Sequence, residues 1–299
     1  MRLVVALGGN ALLKRGEPLA AEVQKRNMQA AAGPLARACA AFQTTIVHGN
    51  GPQVGLLALE AHAYKAAPPA PLDVLGAESQ GMIGYVIAQE LRNADPGREV
   101  VALLTQTVVD PDDPAFQRPS KPIGPVYPAA EAESLRARGW SLAPDGDGVR
   151  RTVPSPAPID IVELAAIESL LAAGAVVVCA GGGGVPVRRL AGDRLEGLEA
   201  VIDKDLTAAL LAARLGAERL VILTDVDGVY LDWGTDDARR LGEITAAELR
   251  GHAFAAGSMG PKAAAARLFV ERTGKTASIG ALTDAEAVIA GRAGTLVRP

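Results

Sequence analysis

The sequence predicts an α/β fold, a three-layer αβα sandwich built around a mainly parallel central sheet. Short apolar runs alternate along the chain with segments that place apolar side chains at helical spacing. Most of these runs are continuously apolar, which is typical of strands that helices cover on both faces. Strand–helix alternation of this kind favours parallel pairing of the strands. The predicted strands are residues 3–7, 44–48, 100–104, 175–180, 219–224, 277–280 and 295–297.

Several segments between the strands carry the signals of helices. Apolar stripes at helical spacing run through residues 75–91 and 206–215, and Gly216 is of the residue type that commonly ends a helix. A threonine followed three residues later by a glutamate predicts a capping box, in which each side chain pairs with the backbone N–H of the other residue. Two further helices are therefore expected to begin at Thr245 with Glu248 and at Thr283 with Glu286.

The composition excludes several classes of protein. With 299 residues, 49% of them hydrophobic, the chain can bury a substantial core. Its net charge of -4 gives no general affinity for nucleic acid or for an anionic membrane, so any basic site must be local. The apolar runs are too short to span a membrane, and residues 1–7 are typical of a strand rather than a signal peptide. Because Cys39 and Cys179 are interpreted as buried, reduced thiols, we expect a cytoplasmic protein.

One stretch, residues 111–158, interrupts the alternation of strands and helices. It contains six prolines between residues 111 and 128 and is also rich in glycine and charge. The sequence Asp145-Gly-Asp-Gly148 predicts a hairpin turn, followed by a strand at residues 149–153. A segment of this length is too long for a simple connection. We interpret it as a small protruding, lid-like subdomain inserted in a single domain of residues 1–299, with a flexible surface insertion as the alternative.

Three lysines stand beside glycine-rich turns, where a cation is unfavourable. Only seven of the 30 basic residues are lysine, so this placement is hard to attribute to composition. Lys204 and Lys262 lie at the start of predicted helices, whose N-termini already carry partial positive charge. Lys121 lies in the inserted segment. Because an anion bound among these groups would offset their charge, the pattern predicts a phosphate site, and a phosphate that is transferred.

Two glycine–asparagine turns directly follow the first two predicted strands. They are Gly8-Gly9-Asn10 after the first strand and Asn50-Gly51 after the second. Without side chains, backbone amides approach a phosphate closely and point at it together. Because ligands of parallel sheets bind at the carboxyl ends of the strands, the two turns predict a shared anion cradle. For the first turn taken alone, a tight structural turn is the alternative.

Three later segments add further candidate residues. In Asp203-Lys-Asp205 the two aspartates are predicted to hold the Lys204 ammonium, and a simple helix N-cap is the alternative role for Asp205. The glycine run at residues 181–184 predicts close passage of a ligand or, alternatively, a flexible turn. Residues 224–230 offer a carboxylate and an aromatic ring to a nucleotide, although a solvated β-turn explains them equally well.

Two residues near these turns have structural interpretations. His48 ends a buried strand with no carboxylate nearby in sequence, so we interpret it as structural rather than as a base. Pro261 is predicted to occupy the first position of the helix that carries Lys262.

Together these motifs resemble those of carbamate kinases, which belong to the amino-acid kinase superfamily, and the similarity extends over essentially the whole chain. The glycine–asparagine, Thr-Asp-Val-Asp-Gly-Val and glycine–lysine motifs are shared across the superfamily and indicate phosphoryl transfer only. The segments Glu-Ser-Gln-Gly-Met-Ile-Gly-Tyr and Ser-Lys-Pro-Ile-Gly-Pro are more particular to carbamate kinases. The full set comprises residues 6–12, 48–55, 77–85, 120–125, 203–205, 224–230 and 257–262.

The resemblance implies an amino-acid kinase-like fold and reversible phosphoryl transfer between carbamoyl phosphate and ADP, which gives ATP and carbamate. In this family pattern Lys204 contacts the transferred phosphoryl group and Lys262 contacts the terminal phosphates of the nucleotide. Asp205 orients both lysines, and Lys121 reaches in from the inserted segment to close the site. Such a site needs no covalent nucleophile, only alignment of the reacting oxygens and compensation of their charge.

The resemblance also implies which residues contact the substrates and which partners the protein has. The amides of Gly8, Gly9 and Gly51, with Asn10 and Asn50, hold carbamoyl phosphate. Mg²⁺ is carried by the phosphates of ADP or ATP, and no protein ligand is assigned to it. A homodimer is implied, with no nucleic-acid or membrane partner and a place in arginine metabolism. The implied nucleotide pocket comprises Gly184, Asp225, Val226, Tyr230, Met259 and Lys262.

Alternatives remain at this point. Another kinase of the superfamily would phosphorylate a different carboxylate or a phosphate acceptor, and a non-catalytic nucleotide sensor would keep the fold without the reaction. The three lysines argue against the sensor, because binding alone does not need them all. A dinucleotide-binding dehydrogenase fits poorly, because the third glycine of its fingerprint is missing after the first strand.

Overall fold

The computed structural model describes residues 1–9, 12–13, 16–254 and 259–299. Among the helices of these residues, none is long and apolar enough to cross a membrane. The helices are α1 (Ala21–Cys39), α2 (Gly51–Ala63), α3 (Leu72–Ala94), α4 (Ala132–Ala137), α5 (Leu164–Ala172), α6 (Lys204–Arg214), α7 (Ala246–Arg250), α8 (Met259–Thr273) and α9 (Ala285–Ile289). The strands are β1 (Arg2–Leu7), β2 (Gln43–His48), β3 (Val100–Ala102), β4 (Gln106–Val109), β5 (Lys121–Pro128), β6 (Ser141–Asp145), β7 (Gly148–Val153), β8 (Pro158–Ile161), β9 (Val176–Val178), β10 (Val185–Arg189), β11 (Leu195–Gly197), β12 (Arg219–Thr224), β13 (Val229–Leu231), β14 (Arg239–Leu241), β15 (Glu243–Thr245), β16 (Thr276–Ala281) and β17 (Thr295–Arg298).

An eight-stranded sheet forms the centre of the molecule, in the order β15-β17-β16-β12-β1-β2-β9-β3. Every neighbouring pair in this sheet is parallel except β16 with β17. The register sets Leu7 of β1 beside His48 of β2 on one side and beside Leu223 of β12 on the other. The carboxyl ends of these three strands therefore lie side by side, and the predicted mainly parallel sheet is confirmed.

Helices cover both faces of the central sheet. Along β1, Leu3, Val5 and Leu7 join an apolar cluster that includes side chains of α1, α3 and α9. Val4 and Ala6 point to the opposite face and join a cluster formed with α5, α6, α7 and α8. All five side chains are fully buried, which explains why the strand is continuously apolar in sequence. The architecture is the expected αβα sandwich.

Two predicted strands are shorter in the structure than in the prediction. The strand predicted at residues 100–104 ends at Ala102, and the one predicted at 175–180 covers only Val176–Val178. Ala180 has a φ of 49°, so the backbone turns out of the sheet there. After β3 the chain enters a second sheet, in the order β11-β10-β4-β8, which the sequence did not predict.

The inserted segment forms an antiparallel sheet of its own, in the order β5-β7-β6. Asp145 pairs with Gly148 across a two-residue turn, so the predicted hairpin is confirmed. Ile123 and Val153 of this sheet are buried in an apolar cluster that also contains Val54 of α2. The segment is therefore an ordered sheet that packs on the main body rather than a flexible loop. Its description as a protruding, lid-like subdomain stays a prediction.

One of the two predicted capping boxes is confirmed. The Thr245 hydroxyl and the Glu248 carboxylate each accept from the other's backbone N–H, at the start of α7. The box predicted at Thr283 is wrong, because Leu282–Asp284 forms a 3₁₀ turn that leads into α9 without a side-chain cap. Glu286 instead accepts a hydrogen bond from Arg37 of α1, at 2.9 Å.

Both cysteines are buried, as expected from sequence, and neither forms a disulfide within the part of the chain that the structure describes. Burial raises the pKa of the Cys39 thiol to about 11. The same cause raises the pKa of Cys179. Both thiols are therefore protonated at neutral pH and serve as small apolar side chains of the core.

Candidate active site

Asp203 is the N-cap of helix α6. Its Oδ1 accepts from the backbone N–H of Asp205 at 2.9 Å and of Leu206 at 3.2 Å, which satisfies two donors that a helix N-terminus leaves unpaired. The alternative role of Asp205 as the cap is therefore wrong. Lys204 is the first residue of the helix, so its side chain lies at the positive end of the helix dipole.

The carboxylate of Asp205 lies between two ammonium groups. Asp205 Oδ1 is 2.5 Å from Lys204 Nζ, and Asp205 Oδ2 is 3.4 Å from Lys262 Nζ. All three side chains are largely buried, with 3% of Asp205 exposed, 10% of Lys204 and 15% of Lys262. Lysines from α6 and α8, distant in sequence, thus meet at one carboxylate.

The electrostatics of this cluster keep Asp205 ionised. Burial acts to raise the pKa of the Asp205 carboxyl, but Lys204, Lys262 and Lys121 together lower that pKa to about 2. Burial also lowers the pKa of the Lys204 ammonium, and the negative charge of Asp205 opposes this effect. The single negative charge of Asp205 therefore compensates only part of the positive charge of the lysines around it. The uncompensated positive charge favours the binding of an anion.

Lys121 of the inserted sheet reaches the same helix end. Its Nζ lies 2.5 Å from Asp203 Oδ2, and 26% of its side chain is exposed. The prediction that both flanking aspartates hold Lys204 is therefore wrong in part: Asp205 contacts Lys204, whereas Asp203 contacts Lys121. The physical reason is the cap, which turns the Asp203 side chain across the helix end and leaves its second oxygen toward the inserted sheet.

The glycine turn after β2 lies against Lys204 and next to the turn after β1. The Gly8 N–H, predicted to bind the substrate phosphate, donates instead to the carbonyl oxygen of Leu223 of β12 at 2.8 Å and is therefore paired within the sheet. A Cβ placed on Gly49 would lie 3.3 Å from both the backbone nitrogen of Gly9 and Cε of Lys204. The turn after β2 therefore lies against the stem of Lys204 and beside the Gly9 backbone of the turn after β1.

The second turn also contacts the inserted sheet and helix α3. A Cβ on Gly51 would lie 3.5 Å from the carbonyl oxygen of Pro122, next to Lys121. Asn50 is buried, and its side-chain amide donates to the Ser79 hydroxyl at 2.8 Å. Asn10, predicted to bind the same substrate, lies outside the described residues. The substrate contacts of these residues stay predictions.

The glycine run at residues 181–184 permits close approach of protein atoms. A Cβ on Gly182 would lie 2.1 Å from the Asn50 amide, and one on Gly184 would lie 2.1 Å from the Thr107 hydroxyl. Residues 182–184 all have positive φ, which only glycine adopts at low cost. The run is a tightly packed turn that supports Asn50, and the contact of Gly184 with a nucleotide stays a prediction.

His48 has the structural role expected from its position. Burial lowers the pKa of its imidazole to about 4, so the ring is neutral at physiological pH. With Nδ1 protonated, it donates to the carbonyl oxygen of Gly49 at 3.0 Å, which holds the turn beside Lys204.

The residues predicted to line the nucleotide pocket follow β12 and begin α8. Thr224 lies against Gly8, and its hydroxyl donates to Asp225 at 3.0 Å. The Tyr230 hydroxyl donates to Asp227 at 2.8 Å, and its ring meets Trp233 edge to face with centroids 4.9 Å apart. The sequence did not single out Trp233. Val226 and Met259 complete the predicted set, and their contact with a nucleotide stays a prediction.

The start of helix α8 differs from the expectation. In the described residues the helix begins at Met259, so Pro261 is its third residue rather than its first. Lys262 remains in the first turn, where the helix dipole disfavours a cation. Residues 255–258, which include the Gly-Ser of the predicted motif, lie outside the described residues.

The described residues do not offer a metal site. Among them, no three histidine, cysteine, aspartate or glutamate side chains are grouped closely enough to hold a metal ion. The two carboxylates at the mouth of α6 each contact a lysine. A divalent ion does not fit this pair, because lysine ammonium groups occupy the positions that it would take.

A comparison with known families decides the classification. A model of the amino acid kinase family matches residues 1–280. The chain belongs to the amino acid kinase family. This agrees with the glycine turns that the sequence placed at the ends of the first two central strands and with the lysines that it placed beside glycine-rich turns.

Within the amino acid kinase family the chain is similar to carbamate kinases over nearly its whole length. It is 54% identical to the carbamate kinase of Escherichia coli K12, over 99% of this chain and 98% of that one. It is 46% identical to the carbamate kinase of Pyrococcus furiosus, over 100% and 99% of the two chains. The solved carbamate kinase of Giardia lamblia with citric acid bound is 40% identical, with a TM-score of 0.93 over 99% of this chain and 98% of that one. The same Giardia enzyme with AMP-PNP bound gives a TM-score of 0.89 at 40% identity, with the same coverage.

The amino acid kinase site contains one partnership that sequence reasoning missed. The pairing of Asp203 with Lys121 joins residues 82 positions apart. One signal could have indicated the geometry, because an aspartate just before an apolar helical stripe is a preferred N-cap. A capping aspartate uses one oxygen for the helix and leaves the other for a cation.

Proposed function

We propose that the chain catalyses reversible transfer of a phosphoryl group between carbamoyl phosphate and ADP, giving ATP and carbamate. The observation that carries the proposal is the Asp205 carboxylate, which brings Lys204 and Lys262 together at the mouth of α6. The chain is 54% and 46% identical to two carbamate kinases over nearly its whole length, which supports carbamate as the group that is phosphorylated in the reverse direction. The relevant signature segments at residues 78–85 and 120–125 lie on α3 and at the start of β5.

The lysines align the phosphoryl group and compensate its charge. In the ATP-forming direction, a terminal phosphate oxygen of ADP forms the new bond to phosphorus as the bond from phosphorus to the carbamoyl oxygen breaks. The electron pair of that bond leaves with carbamate, so the step needs neither a base nor a covalent intermediate. Lys204 donates to the oxygens of the transferred group, and Lys262 donates to the terminal phosphates of the nucleotide. Asp205 holds both ammonium groups in place between turnovers, so little reorganisation is needed.

The carbamoyl phosphate side is formed by the turns at Gly8, Gly9 and Gly51. The amides of Gly9 and Gly51 donate to the phosphate, and Asn50 and Asn10 complete the contact. Gly8, whose N–H is paired with Leu223, contributes the shape of the turn. The packing of Gly49 against Lys204 supports this arrangement, because a turn and a lysine in contact are close enough to bind one anion together. Lys121 adds a third cation from the inserted sheet.

The nucleotide side is formed by Asp225, Val226 and Tyr230 after β12, with Gly184 and Met259. Thr224 supports this assignment because it lies against Gly8 of the phosphate turn. Mg²⁺ reaches the site on the phosphates of the nucleotide, where it supplies additional neutralisation of charge. No protein ligand is assigned to it, since the nearby carboxylates already contact lysines.

The family resemblance extends the proposal to the setting of the enzyme. It implies a cytoplasmic homodimer that acts in arginine metabolism, with ADP or ATP and carbamoyl phosphate or carbamate as its small-molecule partners. Size-exclusion chromatography with light scattering of the purified protein tests the dimer, and a monomer at micromolar concentration would contradict it.

An ATP-forming assay across acyl phosphates tests the proposed reaction. Purified protein with ADP and Mg²⁺ is supplied in turn with carbamoyl, acetylglutamyl and aspartyl phosphate. We expect ATP from carbamoyl phosphate only. ATP from another acyl phosphate and none from carbamoyl phosphate would indicate a different kinase of the family. Nucleotide binding without ATP formation from any of them would indicate a sensor.

A further inference from the structure

We propose that Asp203 is a positioning residue, which holds Lys121 at the mouth of α6 before the substrate binds. The inference rests on the proposed function, because it assigns Lys121 to the phosphate site. It adds to that function a residue that neither touches the reacting atoms nor belongs to the group of Lys204, Asp205 and Lys262.

The two carboxylate oxygens of Asp203 have separate partners. Oδ1 accepts from the backbone N–H groups of Asp205 and Leu206, at 2.9 and 3.2 Å, and so caps α6. Oδ2 accepts from Lys121 Nζ at 2.5 Å. The Asp203 side chain is only 9% exposed, so the surrounding atoms restrict it to the conformation that makes both contacts. One residue thus joins the helix that carries Lys204 to the sheet that carries Lys121.

Electrostatics explain why Lys121 needs such a partner. The mouth of α6 already contains the ammonium groups of Lys204 and Lys262 and the positive end of the helix dipole. A third cation is repelled from this place unless a negative charge offsets it. Asp205 is engaged with the other two lysines, which leaves Asp203 as the carboxylate that the structure places beside Lys121.

The contact leaves Lys121 able to act on a substrate. A lysine ammonium has three N–H donors in rotatable positions, so it can donate to Asp203 and to a phosphate oxygen at once. Lys121 is the first residue of β5, and the next residue, Pro122, lies against Gly51 of the substrate turn. Asp203 therefore fixes the direction of a lysine whose backbone is already beside the predicted phosphate site.

A double-mutant cycle separates positioning from capping. Asp203→Asn keeps an oxygen that can cap α6, because asparagine is also a preferred N-cap, but removes the charge that pairs with Lys121. We expect this variant to keep its melting temperature within about 2 °C and to lose about tenfold in kcat/KM for carbamoyl phosphate. In a Lys121→Ala background the same substitution should change kcat/KM by less than about twofold, because the ammonium group that Asp203 holds is absent. An equal loss in both backgrounds would overturn the proposal.

If Asp203→Asn does not fold, Asp203→Ser takes its place in the cycle. Serine also caps helices, but it has a single side-chain oxygen, so it cannot cap α6 and hold Lys121 with separate oxygens as aspartate does. The expected and contradicting outcomes are the same.

Chemical labelling tests the positioning without relying on catalysis. The ligand-free wild type and Asp203→Asn are treated briefly with an amine-acetylating reagent, and modification at each lysine is measured by mass spectrometry. Lys121 should be modified at least about threefold faster in the variant, because its amine is no longer held at the helix. Lys275, which pairs with Glu218 on the surface, serves as the internal reference.

The two readouts distinguish failure of the inference from failure of the proposed function. Unchanged labelling of Lys121 would overturn the positioning role. A wild type that forms no ATP from carbamoyl phosphate, yet shows faster labelling of Lys121 in the variant, would refute the proposed reaction and support the positioning of Lys121 by Asp203.

Discussion

Gly55 of helix α2 and Gly124 of strand β5 pack backbone against backbone, so closely that a Cβ on Gly55 would lie 2.0 Å from Gly124 Cα. Helix α2 begins at Gly51, in the turn predicted to bind the substrate, and β5 begins at Lys121. The contact therefore fixes the distance between the substrate turn and the lysine of the inserted sheet. It also explains why the sheet packs on the main body with Ile123 fully buried.

Gly55→Ala should destabilise the protein and misplace Lys121. The added methyl group meets backbone, which cannot rotate away, so we expect a loss of about 1–3 kcal/mol in the free energy of unfolding. We also expect a rise in KM for carbamoyl phosphate. Gly81→Ala on α3 is the matched control, because its Cβ would have no atom within 4 Å and alanine favours helix. Urea denaturation of both variants checks this, and equal stabilities would contradict the packing argument.

Lys204→Ala should lower kcat of ATP formation by about a hundredfold or more, the usual scale for removing one preorganised charge donor. The substitution removes the ammonium group closest to Asp205. Steady-state kinetics at saturating ADP and carbamoyl phosphate measure the effect. Lys275→Ala removes a lysine of a surface ion pair and should leave kcat unchanged. Turnover of Lys204→Ala near the wild-type rate would show that another group compensates the transferred charge.

Lys121→Ala should impair the use of carbamoyl phosphate more than the binding of nucleotide. Lys121 lies beside the substrate turn, so we expect KM for carbamoyl phosphate to rise about tenfold. The dissociation constant of ADP, measured by calorimetry, should change less than about twofold, since Lys121 contacts Asp203 rather than the residues of the nucleotide pocket. Equal losses for the two ligands would contradict the assignment of Lys121 to the carbamoyl phosphate side.

His48 should make the stability of the protein depend on pH. The pKa of its imidazole is about 4 in the folded state, below the ordinary value of 6.5, because burial opposes the charged form. Its contribution to stability is therefore complete above pH 6.5 and is lost as the pH falls toward 4. The wild type should lose up to about 3 kcal/mol from this group across that range.

Denaturation curves at several pH values between 7 and 4.5 check this prediction. His48→Gln should have a weaker pH dependence than the wild type, because glutamine does not titrate. His252→Gln is the control, since His252 is exposed, and it should keep the full dependence. Parallel profiles of the wild type and His48→Gln would show that His48 does not titrate as inferred.

The central sheet could be predicted from sequence because its strands are buried on both faces. The strand predicted at residues 219–224 coincides with β12, and those near residues 3 and 44 differ from β1 and β2 by one residue each. The second sheet could not be predicted, since its strands are short and contain polar residues. Thr107 of β4, for example, points inward and donates to the carbonyl oxygen of Gly183 at 2.8 Å. That contact depends on tertiary structure and leaves no apolar run in the sequence.

The candidate site could be predicted in part. Lysines beside glycine turns indicated an anion, and the structure brings Lys121, Lys204 and Lys262 to one helix end. The partner of each lysine could not be predicted, because Asp203 and Asp205 flank Lys204 equally in sequence. Only the fold shows that one carboxylate oxygen of Asp203 caps the helix and that the other accepts a hydrogen bond from Lys121.

A crystal structure with ADP, Mg²⁺, carbamate and an aluminium or magnesium fluoride mimic of the transferred group tests most directly whether the lysines act on one phosphoryl group. The account predicts that Lys204 Nζ lies within about 3 Å of the fluorides and that Lys262 Nζ contacts the same group or the β-phosphate next to it. A mimic bound elsewhere, with the two ammonium groups still directed only at Asp205, would contradict it.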